Sequence, residues 1–540
     1  MALSTPADSH VLQRVGILLL AIIAVFASVA RRLNVPYPIL LVLAGLGLSF
    51  IPHIPRVPLS PDVVFFVFLP PLLYAAAWQT DSRGFRQNLL SIGMLATGLV
   101  AFTVLGIAYF ADRFITALDF RSGFLLGAVV AATDAVAATS IARSLGLSPT
   151  ITSVLEGESL LNDATALLAL EFGLSLLLEN HVPTIGSALL HLLWLVVGGI
   201  VVGLILGQIF YFCERWIEEG PLEMVVSIIV PYVAYLTAEQ VHSSGVIAVV
   251  TCGLFLSRRS ATYLSAPSRI QISASWQALD FVLNGLVFLL IGLQLPYILP
   301  GIKGYGTGTL IIDGLLFSLL LIALRLIWVF PGAAVSLYIR RKLLHQHVPT
   351  PNPKAVFIIG WTGMRGVVSL AAALSLPYTL SNGEPFAQRN LILFLTFSII
   401  LVTLVAQGLT LPPIIRALGL TGSHEEEHEE LTARRILLRS ALVSLEEQQS
   451  ICSEEDRHDL DDLIHFYEDR LEAIRDPSTV PATETALSHA RRARLQLGAL
   501  SVERSALLDL RDRGLVSDDV LRRLERELDL DETRFSPDAL

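Results

Sequence analysis

Cysteine and charge are what this chain is short of. Three cysteines, Cys213, Cys252 and Cys452, occur in 540 residues. Their spacing fits neither a disulfide framework nor a zinc site, so neither is expected. Only 16% of the residues are charged, while 53% are hydrophobic and the mean hydropathy is +0.63. A soluble globular protein of this length has no need of so apolar a composition. No ATP motif, phosphate loop or nucleophile is visible either. The chain therefore does not read as an enzyme, and neither a cofactor nor a nucleic-acid partner is expected.

What the chain has instead is apolar blocks that outlast the roughly 17–25 residues needed to cross a bilayer. They define an all-α polytopic membrane protein of about thirteen spans, near 11–30, 37–52, 61–78, 89–111, 122–145, 151–178, 185–210, 221–239, 243–257, 276–295, 309–338, 355–378 and 391–415. Spans 37–52 and 243–257 are short, and read as tilted neighbours of a broken helix or as partly re-entrant. The leading MALSTPADSH has no basic run and no obvious cleavage site, so the first span is expected to be retained. With the N-terminus outside, the inner loops carry fourteen Lys and Arg against six in the outer ones. The positive-inside rule then puts the N-terminus outside and the C-terminus in the cytoplasm. Compact loops and a modest tail suggest a bacterial plasma (inner) membrane.

The composition changes near Leu420, which divides a membrane domain, 1–420, from a tail, 421–540. The tail opens with HEEEHEE and holds 29 acidic and 16 basic residues, a net −13 against −10 for the whole chain, which leaves about +3 for the membrane part. LTARRILLRSALVSLEEQ and DDVLRRLERELDL carry helical apolar spacing with charges between. A small helical cytoplasmic domain is expected, either an interaction arm for an unknown partner or a solvated tail without regulatory duty.

An ionisable group at mid-bilayer costs roughly 2.5–3.5 kcal/mol on insertion scales. Each one asks for a partner, a water-filled cavity or a function. Asp134, Asp163 and Arg325 fall near the middle of their spans, and Arg365 lies eleven residues past Lys354, about 16 Å at helical rise. In GESLLNDATA (157–166), Glu158 and Asn162 are four positions apart, as are Ser159 and Asp163. Each pair shares a helix face, and the two faces adjoin as one strip of hydroxyl, amide and two carboxylates. Oxygen ligands of this kind suit a hard cation rather than zinc or copper. AVVAATDAVAATS (128–140) and GWTGMRGVVSLAAALSLP (360–377) add two small-residue-interrupted spans far apart in the chain. That is the pattern of transporters with crossing broken helices. In such a crossing the Thr133 carbonyl becomes available, and Arg365 is expected to neutralise Glu158. The Glu158–Arg365 pair could equally serve only to fix helix register. Arg325 reads as structural, Glu171 as lining an aqueous funnel or pairing elsewhere, and Asp280 and Asn284 as capping or joining helices.

ATDAVA (132–137), GESLLNDATA and GMRGVVSLA (363–371) resemble the signature segments of the NhaP/NHE-type sodium:proton antiporters. LPPLLYAAAW (69–78) and FVLNGLVFLLIGLQL (281–295) match further family segments. The similarity runs in consistent order from about residue 11 to 415. It implies two inverted repeats of six helices behind an additional first helix, a core that moves against a dimerisation domain, and a homodimer. It also implies that Asp163 is the central cation- and proton-binding carboxylate. Ser159 would then be a side-chain ligand for Na+, Thr133 a backbone ligand, and Asp134 a direct or water-mediated neighbour, with Glu158 paired to Arg365. Asn162, where electrogenic relatives carry an aspartate, implies electroneutral one-for-one exchange in pH and sodium homeostasis. The chain departs from the family at Tyr74–Ala75–Ala76–Ala77, where relatives often carry an acidic residue. The preference among Na+, Li+ and K+ is thereby left open, and a K+-selective antiporter is an alternative. A passive channel or a membrane scaffold is the rival from another class. Ligands clustered at one depth favour a carrier over a continuous pore, and a scaffold has no use for Asp134 and Asp163.

Overall fold

The computed structural model describes the chain apart from residues 1–5, 34, 52–58, 116, 179–184, 218, 303, 381–382, 423–424, 452–453, 474–483, 514–523, 526 and 533–540. Cys452 and much of DDVLRRLERELDL fall outside the described residues. The chain separates into two compact units, Met1–Ser423 and His424–Leu540. Among the described residues it is helical throughout, apart from one isolated bridge between Thr379 and Pro385.

The first unit runs α1 (Pro6–Leu33), α2 (Tyr37–Ser49), α3 (Pro61–Gln79), α4 (Ser82–Phe114), α5 (Phe120–Ala131), α6 (Val136–Ser144), α7 (Pro149–Leu178), α8 (Ile185–Glu214), α9 (Gly220–Gln240), α10 (Gly245–Tyr263), α11 (Ala266–Ile302), α12 (Thr307–Leu343), α13 (Pro353–Trp361), α14 (Val367–Leu374) and α15 (Arg389–Leu418). Among the described residues, ten stretches are long and apolar enough to cross a membrane, and Tyr37–Ser49 is a shorter apolar helix. The predicted span over 122–145 is α5 followed by α6, interrupted at residues 132–135. The span over 355–378 is α13 followed by α14, interrupted at 362–366. Span 243–257 falls in a continuous helix of 19 residues, Gly245–Tyr263. Apolar side chains fill one large core around α2, α5, α7, α14 and α15, and a second cluster joins α3, α9, α10 and α11.

Local chemistry explains where helices start and how their exceptions are tolerated. Asp81, Asp119 and Asn352 accept backbone N–H groups at the starts of α4, α5 and α13, at 2.7–3.0 Å. Pro71 inside α3 cannot donate to the Val67 carbonyl, which would be costly in lipid. The Tyr232 hydroxyl of α9 donates to that oxygen instead, at 3.2 Å. Close approach of backbones fixes α2 against α11. A Cβ on Gly292 would lie 2.6 Å from Leu46 N and 2.9 Å from Gly45 C, so only glycine fits there.

The second unit holds α16 (Glu425–Gln449), α17 (Glu454–Ala473) and α18 (Glu484–Asp512). Leu438, Leu442, Ile464 and Leu507 are buried within it. Arg504 pairs with Asp529 and Glu532 at its surface, at 2.7 and 2.6 Å.

Candidate functional site

The two interruptions cross and are joined by a backbone hydrogen bond, from Asp134 N to Met364 O at 2.9 Å. Helices break here because the sequence offers alternatives to the helical ladder. The Asp134 carboxylate folds back on Val136 N at 2.8 Å, an Asx turn that starts α6. Gly363 and Gly366 flank Arg365 in the other break, and there is no room for a side chain at either. A Cβ on Gly363 would meet the Arg325 guanidinium group, and one on Gly366 would lie 2.8 Å from Asp134 Cγ.

Breaking two helices in an apolar core strands carbonyl oxygens that must each find a donor. Arg365 serves Val130 O through Nε, and Gly363 O through Nη1 at 2.8 Å. Arg325 serves Ile359 O through Nη2 at 2.9 Å, and Gln407 serves Trp361 O at 2.7 Å. Ser369 reaches Ala132 O at 3.4 Å, and Ser159 donates to Thr133 O at 3.0 Å. The crossing is held by side chains on α7, α12, α14 and α15 and by Arg365 of the second break.

The expected pairing of Glu158 with Arg365 is corrected by this geometry. Glu158 is gripped by Arg325, with Nη1 on Oε1 and Nη2 on Oε2 at 2.8 Å. All three groups are buried, Glu158 at 2% exposure and both arginines at 1%. The physical reason is the second break. Its loss of helical hydrogen bonds leaves Arg365 surrounded by carbonyls, which take its N–H groups, while Arg325 reaches Glu158 from the continuous helix α12. A planar guanidinium fork matches a carboxylate in this two-point way.

Asp163, Ser159, Thr133 and Asp134 come together along one cavity of about 250 Å³, whose lining also includes Tyr37 and Leu73. Asp163 is 5% exposed, and its carboxylate accepts no hydrogen bond from any described residue. Asn162 turns away from this cavity. Its Nδ2 donates to Thr133 Oγ1, and its Oδ1 is buried with no donor among the described residues. Thr133 Oγ1 in turn donates to Glu158 Oε1 at 3.2 Å, so Asn162, Thr133 and the Glu158–Arg325 pair form one chain of bonds behind the cavity wall.

Asp280 and Asn284, expected to cap or join helices, lie within α11 and line the same cavity. Asn284 Nδ2 donates to Asp280 Oδ1 at 2.9 Å. Their four-residue spacing inside an apolar span was the available signal. Also missed were Arg143 and Glu156, paired at 2.6 Å where the cavity lining reaches the exposed surface. Glu171 lies outside the cavity, on an exposed face 3.6 Å from His191 Nε2.

Crossing broken helices around a buried carboxylate are the architecture of a membrane carrier. The comparisons with known proteins agree. Residues 17–417 match the family model described as sodium/hydrogen exchanger, transmembrane, and the chain belongs to that family. An uncharacterized Na+/H+ exchanger of Mycobacterium tuberculosis is 32% identical over 527 residues, covering 96% of this chain and 95% of the relative. The Na+/H+ antiporter ApNhaP of Aphanothece halophytica is 34% identical, covering 76% of this chain and 75% of its own. A sodium, potassium, lithium and rubidium/H+ antiporter of Bacillus subtilis is 28% identical over 95% of this chain and 76% of the relative. In fold, the chain is similar to the sodium proton antiporter MjNhaP1 of Methanocaldococcus jannaschii, with a TM-score of 0.59 at 23% identity, over 76% of this chain and 99% of that one.

Proposed function

We propose that the protein exchanges Na+ for H+ by competition at Asp163. The observation that carries this reading is a buried carboxylate that borders a cavity and accepts no hydrogen bond from a described residue, beside Ser159, Thr133 and Asp134. Such a group favours the company of one positive charge. A proton or a sodium ion meets that need, and binding one displaces the other. If the crossing moves readily when loaded and poorly with a bare carboxylate, the gradient of one ion drives the other.

Sodium would take oxygens from Asp163 and Ser159 and from the Thr133 carbonyl, with Asp134 directly or through water. Asn162 would act from behind, by holding Thr133. Asn162 stands where electrogenic relatives carry an aspartate, and that resemblance is the ground for one-for-one electroneutral exchange. Arg143 belongs to the inner set of basic residues, so the mouth at Arg143 and Glu156 is read as cytoplasmic and the cavity as inward-facing. The same reading includes a homodimer in the plasma (inner) membrane, with the N-terminus outside and 421–540 as a cytoplasmic tail. The Bacillus subtilis relative named for several alkali cations keeps K+ and Li+ within the proposal as competing cargo.

The test uses purified protein in proteoliposomes with an internal pH dye and an imposed proton gradient. Adding Na+, Li+ or K+ should dissipate the gradient in the wild type, independently of membrane potential. Asp163→Asn, folded and inserted, should abolish the response. Robust cation-coupled exchange by that variant would refute the assignment.

A further inference from the structure

A second cavity, of about 570 Å³, shares no lining residue with the transport cavity. Its size falls within the roughly 300–1,000 Å³ of small-ligand sites. Arg83, Arg86 and Gln87 line it from the first turns of α4, and Arg258 lines it from the last turns of α10. The three α4 residues stand three and four positions apart, so they share one helix face. Hydrogen bonding brings the two helices together here. Ser257 Oγ donates to Trp78 O at 2.7 Å, which pins the end of α10 to the end of α3. Arg258 thereby comes beside the Thr80–Asp81 link that leads into α4. The start of α4 in turn packs on α7, where a Cβ on Gly84 would lie 2.7 Å from Ser153 Oγ.

Several basic residues of the inner set have partners within the protein. Arg143 pairs with Glu156 at 2.6 Å, and Arg340 Nη2 donates to Gln87 O at 2.7 Å. Arg341 Nη2 donates to Val348 O at 2.8 Å, and Lys354 Nζ to Leu418 O at 2.9 Å. Arg86 and Arg258 differ. Both are exposed, and neither has a hydrogen bond, ion pair or ring contact among the described residues. Asp81 is the one acidic residue in the described lining. Its oxygens accept Arg83 N and Gly84 N at 2.9 and 2.7 Å, so it is committed to the start of α4. Three guanidinium groups against one carboxylate leave the lining at +2. Like charges held around one cavity repel, and an anion between them removes that cost.

The donors narrow the kind of anion. One guanidinium fork is enough for a carboxylate, whereas several suit the three or four oxygens of a phosphate. The described lining holds no aromatic ring on which a base could stack, which disfavours a nucleotide. Basic clefts between membrane helices are a general means of holding phosphate headgroups. We infer that this cavity binds a phosphate group between Arg86 and Arg258, with Arg83 and Gln87 beside them. A phospholipid headgroup and free phosphate share that chemistry. Once bound, the phosphate ties α4, which packs on α7, to α10 in the second apolar cluster.

The test measures binding of short-chain phosphatidic acid to the full-length protein in a phosphate-free maltoside detergent, with phosphatidylcholine of the same chain length as the control without net charge. Three proteins are compared: the wild type, Arg86→Gln/Arg258→Gln, and Arg31→Gln/Arg32→Gln. The last removes the same charge from the end of α1, outside the cavity. All these side chains are exposed, so the variants should melt with the wild type, which separates lost binding from lost folding. The wild type should bind phosphatidic acid about thirtyfold more tightly than the Arg86/Arg258 variant, since each arginine near an anionic surface is worth roughly fivefold. The Arg31/Arg32 variant should match the wild type. Displacement by inorganic phosphate would uphold the site with free phosphate as a sufficient ligand, and resistance to displacement would uphold it as a headgroup site. No binding of phosphatidic acid or inorganic phosphate by the wild type would overturn the inference. So would equal binding by the Arg86/Arg258 variant, or an equal loss in the Arg31/Arg32 variant, which would reduce the effect to net surface charge.

Discussion

Removing Arg325 and removing Arg365 should both damage the protein, by different routes. Arg325→Ala strands a carboxylate that is 2% exposed, which costs about 3–5 kcal/mol for a broken buried pair. It also takes one donor from Ile359 O, which keeps the Thr362 hydroxyl at 3.1 Å and so adds little to that cost. Arg365→Ala frees Val130 O and Gly363 O, and two lost donors at about 1–3 kcal/mol each sum to a similar total. The single variants therefore do not discriminate between the two arginines, and the coupling to Glu158 does. In a double-mutant cycle with Glu158→Gln, the pair 158/325 should couple by about 2–3 kcal/mol, and 158/365 by less than about 1 kcal/mol. Reversible unfolding in mixed micelles gives the four free energies for each cycle. A larger coupling at 158/365 than at 158/325 would refute the assignment of Arg325 as the partner of Glu158.

Three further outcomes follow from the geometry. Gly366→Ala places a methyl group 2.8 Å from Asp134 Cγ and should slow exchange about a hundredfold, by analogy with ångström-scale misplacement of reacting groups; wild-type rates in proteoliposomes would contradict it. Because proton and sodium compete for Asp163, the apparent sodium affinity should weaken as pH falls, with a limiting slope of about tenfold per pH unit. Half-saturating sodium measured across pH would expose a flat profile, which competition forbids. Tyr232→Phe removes the donor to Val67 O and should lower stability by about 1 kcal/mol while leaving sodium affinity unchanged; no loss of stability would mean that the oxygen freed by Pro71 finds another donor.

The membrane class, the family and the existence of two interrupted spans were legible because lipid makes charges and small-residue breaks conspicuous in an apolar sequence. Asp163, Asp134, Ser159 and Thr133 stood out for that reason, and the structure brings them to one cavity. The partner of Glu158 was not legible. Arg325 and Arg365 are each an isolated guanidinium in a span, and the choice depends on which of them the freed carbonyls consume. From its place in the polar strip Asn162 could be read as cation-ligand support or as an interhelical hydrogen bonder, and its bond to Thr133 Oγ1 is of the second kind. Asp280 was underweighted for a different reason. Its neighbours across the cavity are distant in sequence, and only the packing of α11 against α2 brings it within the same walls.

The crossing beside the proposed binding place is tied together through peptide oxygens as well as side chains. Thr133 O, Met364 O and Gly363 O belong to every amino acid alike, so residue replacement alone cannot delete them. What substitutions can change is which donors occupy those oxygens and how tightly the two breaks are tied together. A chain of this architecture can therefore drift far in side-chain identity while keeping the same crossing, and in the proposed site the set of the Thr133 carbonyl would be tuned by Ser159, which donates to it, and by Asn162, which holds the Thr133 hydroxyl.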